Sequence, residues 1–333
     1  MRRPLASLSF CLLSLSWACA AENNGDPADA GAGDADSDSD TDTDTGTDMG
    51  PRRVVAVGDH HGDFDQMLGA LRAGGVIDED GAWIGGTTIL MQVGDILDRG
   101  DDEREIIDFY ESLRGEAAAL GGIVVNVNGN HEIMNAVGDY RYITAGGCHG
   151  FEDMEGLDTS NPAFDELPEY CKQRAAALWP GGPYAVKLAE WPMVTTVMGN
   201  LMVHGGVLPS HLEYGIDELN EETRAFLLGE GEIPWSVVGG GTSTDSSVDW
   251  DRTYSDDDEG PTEEDCQNLE DTLAELGADR MIVGHTVQGS INSACDGLVW
   301  RVDIGMAEYY GGSIQVLEIS EGGEISILED LAP

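Results

Sequence analysis

Basic residues are scarce in this chain of 333 residues: Lys and Arg together number 16, against 64 Asp and Glu, for a formal net charge of -48. A long-range field of that sign repels nucleic acid and anionic membrane surfaces and promotes solubility, which argues against a nucleic-acid partner. Adaptation to a saline medium is a second reading of the same excess. Long apolar runs are missing as well; the nearest, Leu5 to Trp17, is broken by serines and too short to span a bilayer. Between Ala21 and Gly50 no aromatic or branched aliphatic residue occurs, and Asp, Thr, Ser, Ala, Gly and Asn almost fill the segment. Such a composition cannot bury enough surface to fold. The apolar fraction of the whole is ordinary for a globular protein, enough for one large domain or two small ones, and no internal repeat is evident.

What is present begins with an export signal over residues 1–20: basic Arg2 and Arg3, the apolar stretch, then the small residues Ala18-Cys19-Ala20. Two cuts compete. Ala18-x-Ala20 suits an ordinary signal peptidase, whereas Leu15-Ser16-Trp17-Ala18-Cys19 resembles an imperfect lipobox, departing at Ser16 and Trp17, that would lipidate Cys19. Either cut places the protein outside the cytoplasm, in a periplasm or at a cell surface. Residues 21–50 then read as a self-repelling tether of the kind a surface-anchored lipoprotein needs. The alternating run from Asp34 to Asp44 hints at calcium, but Gly46 is misplaced for an EF-hand loop and no closing Glu follows, so a solvated tether is preferred.

Residues 51–333 alternate strand and helix patterns. Val54 to Val57 is a buried-type strand, and Phe64, Met67, Leu68 and Leu71 recur with helical spacing. Thr87 to Val93 and Ile123 to Val127 read as strands around a helix marked by Ile106, Ile107, Tyr110, Leu113 and Leu120. Strands follow at Met193–Met198, Leu201–Val203, Met281–Val283, Leu298–Val302, Ile314–Ile319 and Ile325–Leu328. The order predicts an α/β sandwich with more than one sheet.

Three glycine-rich cassettes follow the first apolar runs: Gly58-Asp59-His60-His61-Gly62, Gly94-Asp95-Ile96-Leu97-Asp98-Arg99-Gly100 and Gly129-Asn130-His131-Glu132. His204 and His285 also come immediately after strand patterns. Any single Gly-Asp or Gly-Asn pair is as readily a turn. In α/β sheets, however, ligands gather at the carboxyl ends of strands, so these residues can converge although distant in sequence. Carboxylate, imidazole and amide oxygens suit a pair of divalent cations, and such a pair suits in-line attack on phosphorus.

The cassettes, with Val203-His204-Gly205-Gly206 and Val283-Gly284-His285-Thr286, resemble the calcineurin-like metallophosphoesterases, in the branch containing the phosphoprotein phosphatases. The resemblance runs from about Val54 to about Gly312. The segments Trp250-Asp251-Arg252-Thr253-Tyr254-Ser255 and Val302-Asp303-Ile304-Gly305-Met306 are similar to those of bacterial Shewanella-like phosphatases. The resemblance implies a β-sandwich of two mixed sheets flanked by helices. It implies that Asp59 and His61 hold a first metal, that Asp95 bridges both, and that Asn130, His204 and His285 complete the second. A bridging carboxylate sets a separation of roughly 3.5–4 Å, and a hydroxide between the metals is then the implied nucleophile. Manganese, iron and zinc all accept this ligand set. His131 is implied to be the general acid, oriented by Asp98, with Arg99 as a fork for the phosphoryl oxygens. Arg252 is the candidate for a second phosphate clamp, against the alternative of a surface ion pair.

The tetrad Gly284-His285-Thr286-Val287 lacks the second His that many metallophosphoesterases carry, as in phosphoprotein phosphatases. His60 reads as a surface residue or a support behind the ligands, and His149 and His211 as incidental. The stretches Gly138–Pro183 and Gly229–Pro261 interrupt the core pattern and read as loop insertions that shape the substrate mouth. Order along the chain suggests pairing Cys148 with Cys171 and Cys266 with Cys295, although three connectivities are open; none of the four has the context of a catalytic thiol. The expected activity is a di-metal phosphatase acting on phosphoprotein, phosphopeptide or phosphotyrosine. Its rivals are a diadenosine polyphosphate hydrolase, an exported scavenger of small phosphoesters, and a metal-binding surface module without turnover. Asp98, Arg99 and His131 count against the last, since a mere metal binder needs neither an acid nor a phosphate clamp.

Overall fold

Buried apolar runs become strands whose ends carry the cassettes. A computed structural model describes residues 52–239, 246–256 and 260–329. The export signal with Cys19, the tether at 21–50 and its aspartate run lie outside the described residues, as does part of the 229–261 stretch. In chain order the elements are β1 (Val54–Val57), α1 (Phe64–Ala73), β2 (Ile89–Gln92), α2 (Glu103–Ala119), β3 (Ile123–Asn126), α3 (Asn130–Ala136), α4 (Ala145–His149), α5 (Lys172–Leu178) and α6 (Pro183–Leu188). Then follow β4 (Val194–Val197), β5 (Asn200–Val203), α7 (Pro209–Tyr214), α8 (Ile216–Leu227), α9 (Trp235–Val238), α10 (Glu263–Glu275), β6 (Arg280–Val283), β7 (Asn292–Ala294), β8 (Val299–Arg301), β9 (Gln315–Ile319) and β10 (Ile325–Glu329).

Two mixed five-stranded sheets result, one ordered β10-β9-β1-β2-β3 and the other β4-β5-β6-β8-β7. The first is parallel through β1, β2 and β3, and the second through β5, β6 and β8, with antiparallel strands at their margins. This is the α/β sandwich the pattern predicts. Strand alternation explains why the central strands read as unbroken apolar runs. Met202 and Ile282 pack into the core shared with Val55, Leu90 and Met91. Their neighbours Leu201, Val203, Met281 and Val283 face the opposite way, into a second core with Leu219 of α8 and Leu269 and Leu273 of α10. The parallel ladders bring the carboxyl ends of β1, β2 and β3 to one edge, and those of β5 and β6 to the same side of their own sheet.

One expectation fails locally. Leu120, placed by spacing on the buried face of α2, lies just past the helix and is 57% exposed, because the chain turns back at Gly121 with φ 81°. The Gly138–Pro183 stretch is not loop alone: it folds into α4, α5 and two short 3-10 turns, with Cys148 joined to Cys171. Cys266, on α10, is joined to Cys295, just after β7. Among the described residues no helix is long and apolar enough to cross a membrane.

Leu90, central in β2 and fully buried, tests the shared core. Leu90→Ala should lower unfolding stability by about 2–5 kcal/mol through lost burial and a residual cavity, read by urea denaturation at unchanged slope.

Candidate metal centre and active site

The three cassette loops hold one another in place. Backbone N–H groups of His60 and His61 both donate to the Asp95 carbonyl, at 3.0 and 2.9 Å, and Gly62 N–H donates to Ile96 O at 2.7 Å. From the third cassette, the buried Glu132 carboxylate accepts from the N–H groups of Asp95, Ile96, Leu97 and Gly129, at 2.7–3.1 Å. Four donors on one carboxylate clamp two loops together. The loops are also strained. Among the described residues eight non-glycine positions have positive φ, and five of them are His61, Asp95, Asp98, Arg99 and His285. Sparsely populated backbone of this kind persists only where surroundings over-determine it. Gly129 and Gly284 are required by close approach, since a Cβ would strike the carboxylate of Asp95 at the one and of Asp59 at the other.

The side chains then converge on Asp95. His204 donates from Nδ1 to Val93 O at 2.8 Å, so in its neutral form the Nε2 lone pair faces outward from that bond. That lone pair meets Asn130 Oδ1 at 3.0 Å and Asp95 Oδ2 at 3.1 Å, both of which are also acceptors. His61 repeats the device, with Nδ1 donating to Leu97 O at 3.1 Å and Nε2 lying 3.8 Å from Asp95 Oδ2. His285 Nε2 is buried and has no hydrogen-bond partner among the described residues. Lone pairs crowded about one carboxylate are mutually repulsive unless a proton or a metal cation sits between them. Ligand atoms of Asp95, His204 and His285 lie within 4.8 Å of one another, as do those of His61, Asp95 and His131. The donor set therefore fits divalent cations of the transition series.

Proton and metal compete for the same nitrogen. Burial alone would depress His204, but the Asp95 carboxylate outweighs it and pushes the imidazole up to about 8, so near neutral pH a cation at Nε2 takes the place of a proton. Asp59 is raised well above the usual carboxylate range by burial and then by Asp303 and Asp95, and Asp303 is itself pushed to about 6 by burial. His61 falls to about 3 through burial and the nearby His131, which keeps it neutral as a ligand must be. Asp59 does not share the three-residue clusters around Asp95; its carboxylate accepts from the His285 N–H at 3.1 Å.

Beside these ligands, His131 Nδ1 donates to Asp98 Oδ2 at 2.6 Å. Burial opposes protonation of His131, yet Asp95 and the Asp98 hydrogen bond raise its pKa overall. Arg99 Nη2 lies 3.5 Å from His131 Nε2, and Arg99 Nε is buried without a partner among the described residues. It makes no ion pair with Asp98, Asp101 or Asp102; its guanidinium sits over the rings of Tyr142, Tyr309 and Tyr310 at 4.6–5.2 Å. A cavity of about 160 Å³ gathers His61, Asp95, Arg99, Asn130, His131, Arg252 and His285 with Tyr142, Trp250 and Tyr310. Arg252 thus reaches the same cavity as the other candidates.

His60 is fully buried and not on the surface: Nε2 is 2.7 Å from the Tyr110 hydroxyl, behind the loop. His149, exposed, pairs with Glu152 and stacks on Tyr170, while buried His211 accepts from Leu208 N–H and donates to Ser246 O; neither lines the cavity. Sequence reasoning missed Glu132 as a clamp, Asp303 beside Asp59, the tyrosines around Arg99, and Arg174, which is buried against Asp98 and Glu103. Glu132 and Asp303 stand inside quoted motifs, and in a chain so poor in basic residues each Arg was a signal worth following.

Comparisons with known proteins agree with this geometry. Residues 52–289 match the family model of the calcineurin-like phosphoesterases. The chain is 36% identical to Shewanella-like protein phosphatase 2 of Arabidopsis thaliana over 309 residues, covering 84% of this chain and 78% of that protein. It is 28% identical to Shewanella-like protein phosphatase 1 of Plasmodium berghei, covering 77% and 67%. A solved structure of a cold-active protein-tyrosine phosphatase from a psychrophilic Shewanella species shares the fold, with TM-score 0.63, 23% identity and coverage of 84% and 81%.

If the converging lone pairs require cations, a divalent ion at 100 times its dissociation constant should raise stability by about 2.7 kcal/mol, seen as a higher melting temperature. Gly129→Ala, by pushing on Asp95, should retain far-UV circular dichroism but lose most of that shift and of the bound metal.

Proposed function

The chain belongs to the calcineurin-like phosphoesterases, on their Shewanella-like protein phosphatase branch, and is a phosphoester hydrolase; from that premise we propose that it hydrolyses phosphate monoesters of proteins or peptides, phosphotyrosine foremost. The observation that carries this reading is the shape and lining of the cavity over Asp95 and His131. At about 160 Å³ it is narrow, and Tyr142, Trp250 and Tyr310 wall it with aromatic surface while Arg99 and Arg252 face its interior. Such walls accept a flat ring, and the guanidinium forks accept the phosphoryl oxygens. The solved Shewanella protein-tyrosine phosphatase of the same fold supports the aromatic preference.

Asp59, His61 and Asp95 would hold one cation, and Asp95, Asn130, His204 and His285 a second, with manganese, iron and zinc all suited to the set. When bound, the pair supplies Lewis acidity and a water made nucleophilic near neutral pH. The chain's own residues do the rest. Asp98 holds the Nδ1–H of His131, which leaves Nε2 turned to the cavity to protonate the departing oxygen. Arg99, whose Nε has no partner among the described residues, would meet the phosphoryl group as charge spreads over it.

A dinucleoside polyphosphate fits less well. The adjoining cavity of about 390 Å³ is lined by Asp63, Asp65, Asp101, Asp102 and Glu308, which would repel a long polyanionic chain. Small phosphoesters are the remaining rival. The export reading of residues 1–20, with or without a lipid at Cys19, is supported by the two disulfides, which suit an oxidising compartment.

With manganese-loaded protein, His131→Asn should keep its metal content and lower turnover on a phosphotyrosyl peptide about 10²–10⁴-fold. Phosphate release is measured side by side from phosphotyrosyl peptide, phosphoseryl peptide, glycerol phosphate and diadenosine tetraphosphate. Preference for either of the last two would overturn the phosphopeptide reading, and full activity of the variant would overturn the role given to His131.

A further inference from the structure

Arg174 is 1% exposed, an unusual place for a cation that makes no contact with solvent. It lies on α5, inside the stretch expected to shape the substrate mouth, and it points the other way, into the protein beneath His131. Its Nε and Nη2 hold both oxygens of the buried Glu103 at 2.6 Å. Nη2 also reaches Asp98 Oδ1 at 3.1 Å, and Nη1 donates to Asn135 Oδ1 at 2.6 Å. Asn135 donates in turn to Asp98 Oδ1 at 3.1 Å, and Glu103 Oε1 accepts the Asp98 N–H at 2.5 Å. Asp98 is therefore gripped at its backbone and at Oδ1, while its other oxygen is given wholly to His131 Nδ1.

We propose that Arg174 is a positioning residue for His131, acting through Asp98, and that the 138–183 segment serves the reaction from behind the acid as well as over the mouth. The inference rests on the role given to His131 above. With Oδ1 occupied twice, the Asp98 carboxylate cannot swing, so the His131 ring is kept with Nδ1–H inward and Nε2 toward the cavity. The same segment touches the ring from the other side, where Tyr142 lies 5.2 Å from His131 between centroids. Cys171, immediately before α5, ties that helix through its disulfide to Cys148 on α4, so the brace does not depend on side-chain packing alone. A buried fork of this kind is poorly replaced by lysine, which offers a point charge in place of the planar set of donors.

The test uses the dependence of rate on leaving group. Phenolate leaves badly without a proton, whereas 2,4-dinitrophenolate needs none. With the full-length manganese-loaded protein, kcat and KM are measured on phenyl phosphate and on 2,4-dinitrophenyl phosphate for the native protein, His131→Asn, Arg174→Lys and Arg174→Met. Arg174→Lys keeps the buried charge and so retains the fold even if Arg174→Met does not, which melting curves report. Expected is a selective loss on phenyl phosphate in His131→Asn, and the same selectivity, about tenfold in the ratio of the two kcat values with KM little changed, in Arg174→Lys. Equal loss on both substrates in the Arg174 variants, with His131→Asn still selective, would make Arg174 structural and overturn the inference alone. No selectivity even in His131→Asn would bring down the role of His131, and the inference with it.

Discussion

A concentration of acceptors around Asp95 governs this molecule. His61 and His204 have Nδ1 committed to backbone carbonyls, so in the neutral form that a metal ligand must take, their second nitrogens turn lone pairs toward a carboxylate, with the Asn130 amide oxygen beside them. Asp59, Glu132 and Asp303 add buried carboxyl groups within reach, whose ionisation is resisted by burial and by neighbouring carboxylates. Left to themselves the carboxylates repel, and the upward push on Asp59 by burial, Asp303 and Asp95 records it. A divalent cation at this point would turn the same arrangement from costly to stabilising and so couple folding to metal uptake.

Holding acceptors so close demands a frame that resists them. The frame is built from loop backbone in unfavourable conformations at His61, Asp95, Asp98, Arg99 and His285, locked by the four hydrogen bonds to Glu132 and by glycines where no Cβ fits. Behind the loops stand short parallel strands buried on both faces. Strain at the strand ends is tolerated because the sheets beneath cannot yield.

The scarcity of basic residues gives each one weight. Arg99 and Arg252 face the cavity where phosphate charge would arrive, and Arg174 neutralises carboxylates behind His131. The overall field is repulsive to anions, so attraction is confined to the spot where Arg99 and Arg252 would act together with a cation held at the Asp95 site. Acidic Asp63, Asp65, Asp101 and Asp102 at the neighbouring cavity sharpen that confinement.

Much of this was legible in residue order. Strand runs, the three cassettes and the paired His204 and His285 are local signals, because period, glycine and donor type are properties of short segments. From them the α/β class, the family and the candidate ligands follow. Helix ends such as Leu120 were misjudged, since spacing alone does not tell where a chain turns. The tertiary structure decided what depends on residues far apart: that His60 is buried behind Tyr110, that Asp303 adjoins Asp59, that three tyrosines surround Arg99, and that Arg174 reaches Asp98 across 76 positions. A motif carries its own chemistry in its residue types, but distance, burial and the direction of a lone pair exist only once separate segments are packed together.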